Sequence, residues 1–124
     1  MPATEQMIAA VHAYVDAFDK ADPELAVALF TADASIEDPI GTPLKIGVDA
    51  IREFYIGSMA SGAKLVLDGP IRIGGDCAAF AFSAKINLNG QDLRVDVIDI
   101  FKFNEAGKVI EMTAYFGPGN MHGF

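Results

Sequence analysis

This chain is short of the residues from which many reactive or anchored proteins are built. Cys77 is its one cysteine, it has no tryptophan, and its two histidines, His12 and His122, lie far apart among 124 residues. One cysteine excludes an internal disulfide and a cysteine-built metal site. Two histidines that share no ligand spacing with acids give a metal centre no support, and both read as surface or satisfied residues. Positive charge is scarce: 9 Lys and Arg stand against 17 Asp and Glu, a formal net charge of −8. Phosphate backbones and anionic bilayers repel such a chain, which argues against nucleic acid and membrane surfaces as partners. No apolar run approaches the ~18 residues of a membrane span. The start, Met1-Pro-Ala-Thr-Glu-Gln, lacks the basic lead of a secretory signal. The expectation is a cytoplasmic protein whose ligand is neutral or cationic, or that has no charged ligand.

Apolar residues are plentiful, at 52% of the chain, enough for one domain over 1–124 with a real core. Cys77, followed by Ala-Ala-Phe-Ala-Phe, reads as a small core residue. Thr4 is placed to cap a first helix, in which Met7, Val11, Tyr14, Val15 and Phe18 recur on one face. Asp22-Pro23 is an N-cap followed by a first-turn proline, and it predicts a short helix over Glu24–Phe30 with Leu25, Ala28 and Leu29 inward. Ala34–Asp38 reads as a strand with Ile36 and Asp38 on one face, ended by Pro39 and a loop at Gly41. A third helix runs from about Val48 to Met59, with Ile51, Phe54, Tyr55, Ser58 and Met59 inward. Tyr14 and Tyr55 therefore sit on buried stripes, where each hydroxyl needs a partner.

The second half is a β-meander. Leu65–Leu67, Ile71–Ile73, Ala78–Leu88 and Val95–Phe103 alternate as strands. Asn89-Gly90 is a two-residue hairpin signal, and counting back from it pairs Phe82 with Val97 and Phe80 with Asp99. Counting out from Asn104-Glu-Ala-Gly107 pairs Phe101 with Ile110, Asp99 with Met112 and Val97 with Ala114. Asp99 then shares a sheet face with Val95, Val97, Phe101 and Phe103, while Arg94 and Lys102 lie on the opposite face. With no cation beside it, a buried carboxyl favours its neutral form. Asp38, at a strand end beside a loop, keeps access to water and can stay ionised. The other sheet face mixes Ile98, Ile100 and Tyr115 with charged residues, and is a candidate surface for a two-fold dimer.

The element order implies an α+β fold, with helices on one face of a curved antiparallel sheet enclosing an apolar pocket. Several pieces of the chain resemble the bacterial ketosteroid isomerase (steroid delta-isomerase) family, within the cone-shaped nuclear-transport-factor-like fold. They are Tyr14 in Ala13-Tyr-Val15, Asp38 in Ile36-Glu-Asp-Pro-Ile-Gly41, Ala50-Ile-Arg-Glu-Phe-Tyr55, Ala79-Phe-Ala-Phe82, Asp99 in Ile98-Asp-Ile-Phe-Lys-Phe103, and Gly107-Lys-Val109. They keep the family's order and spacing over almost the whole chain. The resemblance implies three N-terminal-half helices on the concave face of the sheet. It also implies isomerisation of 3-oxo-Δ5-steroids to 3-oxo-Δ4-steroids through a dienolate.

On that resemblance Asp38 is the general base, and Tyr14 with protonated Asp99 forms the oxyanion hole. Ketosteroid isomerase itself is the standard instance of two carboxyls whose pKa values are driven apart. Tyr55 matches the tyrosine that orients Tyr14. Phe30 stands where some relatives carry a further tyrosine, so the network is shorter here. Phe54, Phe82, Phe101, Met112 and Phe116 are the implied steroid contacts, with no cofactor or metal and a homodimer through the outer sheet face. The fold hosts many functions. Two alternatives stay open from the residues: another enzyme of the fold, of the polyketide cyclase or epoxide hydrolase type, and a non-catalytic module for a hydrophobic ligand.

Overall fold

A computed structural model describes residues 1–124. Helix α1 spans Thr4–Asp19 and buries Met7, Ala10, Val11, Tyr14, Ala17 and Phe18 along one stripe. Thr4 is its first helical residue and not the cap. Ala3 holds the N-cap position, and no side chain bonds the free amides there. Helix α2 begins as the sequence predicts, with Asp22 accepting from the Glu24 N–H at 3.1 Å and Pro23 in the first turn. It is shorter than predicted, Pro23–Val27. The Leu29 carbonyl already accepts from the Val109 N–H at 2.8 Å, so the backbone there is recruited by the sheet. The inward residues are accordingly Ala26 and Val27, while Leu25 is exposed. Helix α3, Val48–Ala60, follows Gly47, whose φ of 93° is open to glycine at little cost, and buries Ile51, Tyr55 and Met59.

The strands are β1 (Phe30–Glu37), β2 (Lys45–Ile46), β3 (Lys64–Leu67), β4 (Arg72–Gly74), β5 (Cys77–Leu88), β6 (Gln91–Phe103), β7 (Val109–Tyr115) and β8 (Met121–His122). They form one sheet in the order β2-β1-β7-β6-β5-β3, with β4 also on β5 and β8 also on β6. The sheet is mixed rather than antiparallel throughout, because β1 and β7 run parallel. The long stretch between them returns the chain to lie beside β1 in the same direction, which parallel pairing requires. One face of the sheet and the helices share a buried core that includes Ile36, Phe80, Phe101, Phe103, Val109 and Met112. Cys77 is only half-buried, at the start of β5, and not a core residue.

The first hairpin has the predicted register. Asn89 (φ 53°) and Gly90 (φ 84°) both take the left-handed conformation that a type I′ turn demands. Leu88 faces Gln91, Phe82 faces Val97, and Phe80 faces Asp99. The β6–β7 register differs from the count. Phe101 faces Met112 and Asp99 faces Ala114, with an irregularity between Lys102 and Phe103. The Phe103 N–H is donated to the Asp76 carbonyl at 2.8 Å, outside the β6–β7 ladder. The two-residue shift keeps Asp99, Met112 and Ala114 on their predicted face, while on the turn side of the irregularity Val109 takes the buried place expected of Ile110. It does change the neighbour of Asp99, from a bulky methionine to Ala114.

Candidate active site

A cavity of about 330 Å³ opens between the helices and the concave sheet face, and 11 of its 15 lining residues are hydrophobic. That size and lining suit a small apolar ligand. Phe18 and Tyr14 enter from α1, Phe54 and Ser58 from α3, Leu65 from β3, Phe82, Ala84 and Ile86 from β5, and Val95 and Val97 from β6. Asp38 and Pro39 just beyond β1, and Phe116 just beyond β7, complete one end. Ser58 and Ser61, at the α3 end of the lining, spend their protons on the Phe54 and Ser58 carbonyls. The chemistry of the cavity therefore rests on Tyr14, Asp38 and what adjoins them.

Asp38 follows directly on β1, whose residue Ile36 is fully buried. The turn beyond it is tied down by the Gly41 N–H donating to Glu37 at 2.8 Å and by the Ile40 N–H donating to the Ala114 carbonyl at 2.8 Å. The turn that carries Asp38 is thus anchored, and Asp38 borders the cavity. Burial pushes its pKa up to about 6, opposed by the positive charge of Lys45. Near neutral pH such a group is largely ionised and still basic, as proton abstraction requires.

Asp99 is 1% exposed, and neither of its oxygens has a hydrogen-bond partner. No cation forms an ion pair with it. Burial, with the Asp38 charge as a lesser cause, holds its pKa well above the ordinary carboxylate value. A protonated carboxyl carries one O–H donor, and here nothing in the protein accepts it.

Tyr14 is 3% exposed and packs edge-on against Phe101 and Phe80, at ring separations of 5.1 and 6.1 Å. Phe80 is the cross-strand partner of Asp99, so the same ring borders both groups. The Tyr55 hydroxyl donates to the Tyr14 oxygen at 3.1 Å. The Tyr14 proton is left free to point elsewhere, and the borrowed bond makes that proton a better donor. Burial raises the pKa of both tyrosines, which keeps them neutral phenols. Phe30 packs on Tyr55 at 5.9 Å between ring centres and offers no hydroxyl, so the network ends at Tyr55.

Of the predicted contact residues, Phe54, Phe82 and Phe116 line the cavity. Phe101 and Met112 do not: both are fully buried core residues, and they face each other across β6 and β7. Sequence reading missed Phe18, Leu65 and Val97 as lining residues. Phe18 had a signal, since it lies one helical turn from Tyr14 on the same stripe. Lys45, which acts on Asp38, also went unnoticed. No group of three or more His, Cys, Asp or Glu side chains is arranged to hold a metal ion, and no helix is long and apolar enough to cross a membrane.

Comparison with known proteins agrees with this architecture. The SnoaL-like domain family matches residues 11–112. A protein of Nocardioides simplex named Steroid Delta-isomerase is 38% identical over 114 residues, covering 91% of each chain. The solved structure of SalBIII, an epoxide hydrolase/cyclase-like enzyme of pyran ring formation in the polyether salinomycin, superposes with a TM-score of 0.92 over 100% of both chains. Its sequence identity is 23%, so it speaks for the fold alone.

Proposed function

The chain belongs to the SnoaL-like family, and from that premise we propose that it is a steroid Δ-isomerase, moving the double bond of a 3-oxo-Δ5-steroid to the Δ4 position. The observation that carries the reading is the contrast between a half-buried carboxyl just beyond β1 and a fully buried one inside β6. Asp38 borders the cavity with a pKa of about 6, and Asp99 is buried with no partner for either oxygen. Groups driven apart in this way are suited to separate base and acid roles, as is established for ketosteroid isomerase. The 38% identity to a named Steroid Delta-isomerase supports the same assignment.

In this reading the A ring enters with its C3 carbonyl toward Tyr14 and Asp99. Asp38 removes a proton from C4, and the electrons move onto the C3 oxygen to form the dienolate. Tyr14 and protonated Asp99 donate to that oxygen as its charge grows. Both are fixed in a water-poor site, where preset donors cost little reorganisation. Asp38 then returns the proton to C6, and the conjugated enone is released. Phe54, Phe82 and Phe116 hold the ring system. The proposal extends to a homodimer through the outer sheet face, where the cross-strand neighbours Ile98 and Tyr115 are both exposed. A solution mass of one chain would remove that part.

The deciding experiment is an ultraviolet assay with 5-androstene-3,17-dione. Growth of the conjugated-enone absorbance is the expected result. Folded protein that produces no such change would overturn the assignment, and steroid affinity without turnover would make the chain a binding module.

A further inference from the structure

Strand β2 is two residues long and sits at the edge of the sheet. Its register pairs Lys45 with Ile36 and Ile46 with Ser35. Directly paired residues share a face of the sheet, so Lys45 lies on the face of the fully buried Ile36, while Ile46 is exposed. The residue two beyond Ile36 is Asp38. A diagonal neighbour of that kind lies within reach of a long side chain. The Lys45 ammonium rests 5.1 Å from the centre of the Phe54 ring, and Phe54 lines the cavity together with Asp38. A ring face attracts a cation and holds it in place. Lys45 takes part in none of the chain's ion pairs.

We propose that Lys45 is a positioning residue that keeps the Asp38 carboxylate charged between turnovers, its ammonium braced on the Phe54 ring at the cavity wall. This rests on the reading of Asp38 as the base. The groups facing Asp38 from other elements are otherwise neutral or negative. Tyr14 comes from α1, with Tyr55 of α3 behind it, and both are phenols held neutral by burial. Asp99 of β6 has its own pKa raised. The end of β7 and the residues after it supply Ala114 and Phe116, which carry no charge. Glu37 turns away to the Gly41 N–H. Glu53 lies with Lys45 in a second, outer cleft. Lys45 is thus the one cation acting against the desolvation of Asp38. Without it, burial alone would protonate the base over more of the neutral range. An inward lysine on an edge strand also discourages strand addition, but that role places no demand on the charge state of Asp38.

The test is the pH profile of kcat/KM, whose acid limb reports the free enzyme's base. For Lys45→Met the limb should move up by about half a unit to one unit, a half-exposed cation falling below the usual range for a close opposite charge. At one unit below the limb that is about a threefold to tenfold loss, with equal rates on the alkaline plateau. Lys45→Arg should restore the wild-type limb, and 1 M salt, with its ~3 Å Debye length, should bring the wild type toward Lys45→Met. Superimposed acid limbs in wild type and Lys45→Met would overturn the proposal. If the wild type turns over no steroid at any pH, the isomerase reading falls. The Asp38 titration followed by carbon NMR in the two proteins then decides this point by itself: a raised Asp38 midpoint in Lys45→Met supports it, and equal midpoints refute it.

Discussion

Asp38 and Asp99 differ both in burial and in what else reaches them: Asp38 is half-buried and Asp99 is 1% exposed. Asp38 follows an edge-side strand, borders the cavity and feels a lysine. Asp99 lies in the middle of a long central strand, between Phe80 and Ala114, and meets no cation and no hydrogen-bond donor. Burial raises both pKa values, to about 6 for Asp38 and well above the ordinary value for Asp99. Strand position thus gives two chemically identical groups different protonation tendencies, with the neutral form favoured more strongly at Asp99. A strand end leaves one side of a carboxyl open to a loop, whereas the middle of a sheet is bordered by side chains on both flanks.

The contrast can be broken from either side. The largest effect is expected for Asp38→Asn, which keeps the shape and removes the base. Isomerisation should fall by about 10²–10⁴-fold while steroid binding, followed by fluorescence or calorimetry, persists. Normal turnover would remove Asp38 from the mechanism. On the other side, Asp99→Ala deletes a donor and should cost about 10²–10³-fold in kcat, the usual range for one oxyanion contact. Asp99→Asn retains an N–H donor and should lose less. The reverse order in kcat would show that Asp99 does not act as a donor.

The smallest effect is on stability, and its sign follows from linkage. In the unfolded chain Asp99 ionises near 3.8, and in the folded protein it does so well above that. Below 3.8 it is protonated in both states and its stabilising contribution is complete. As the pH rises, the unfolded state loses the proton first, so this contribution falls until the folded-state pKa is passed. Asp99→Asn removes the dependence. Its unfolding free energy relative to wild type should grow by about 1.4 kcal/mol per pH unit above about pH 5. A pH-independent gap in urea melts would mean that Asp99 ionises normally.

Two hairpins show how far the chain could be read in advance. Asn89-Gly90 admits one tight turn, with no slack between the strands, so counting gave the neighbours of Phe82 and Phe80 correctly. Asn104–Gly107 looked equally countable. Its turn is closed by the Asn104 N–H on the Lys108 carbonyl, and the register then shifts at an irregularity that skips Ile110 between the Phe103–Val109 and Lys102–Glu111 pairs. Counting outward from the turn residues has no access to such a bulge. The faces of Met112 and Ala114 survived the slip because the period of a strand is two, but the neighbour of Asp99 did not, and Val109 replaced Ile110 in the core. The cavity followed the same division. Tyr14 and Asp38 were legible from periodicity and turn chemistry. Phe101 and Met112 stand in the core and not on the cavity wall, a distinction that strand period alone does not carry. Lys45 was invisible because its inward direction depends on a two-residue pairing with β1.

The order of residues alone dictates which side chains turn inward in most elements, where most chain reversals fall, and that Asp99 sits on an apolar face without a cation. Those properties follow from helical and strand periods and from turn residues, which act over a few positions. The assembled fold is needed for the parallel run of β1 and β7, for Ala114 rather than Met112 beside Asp99, for the Tyr55 donation to Tyr14, and for the pairing of Lys45 with Ile36. Each is a contact between segments distant along the chain, so its geometry depends on how the sheet twists and closes against the helices.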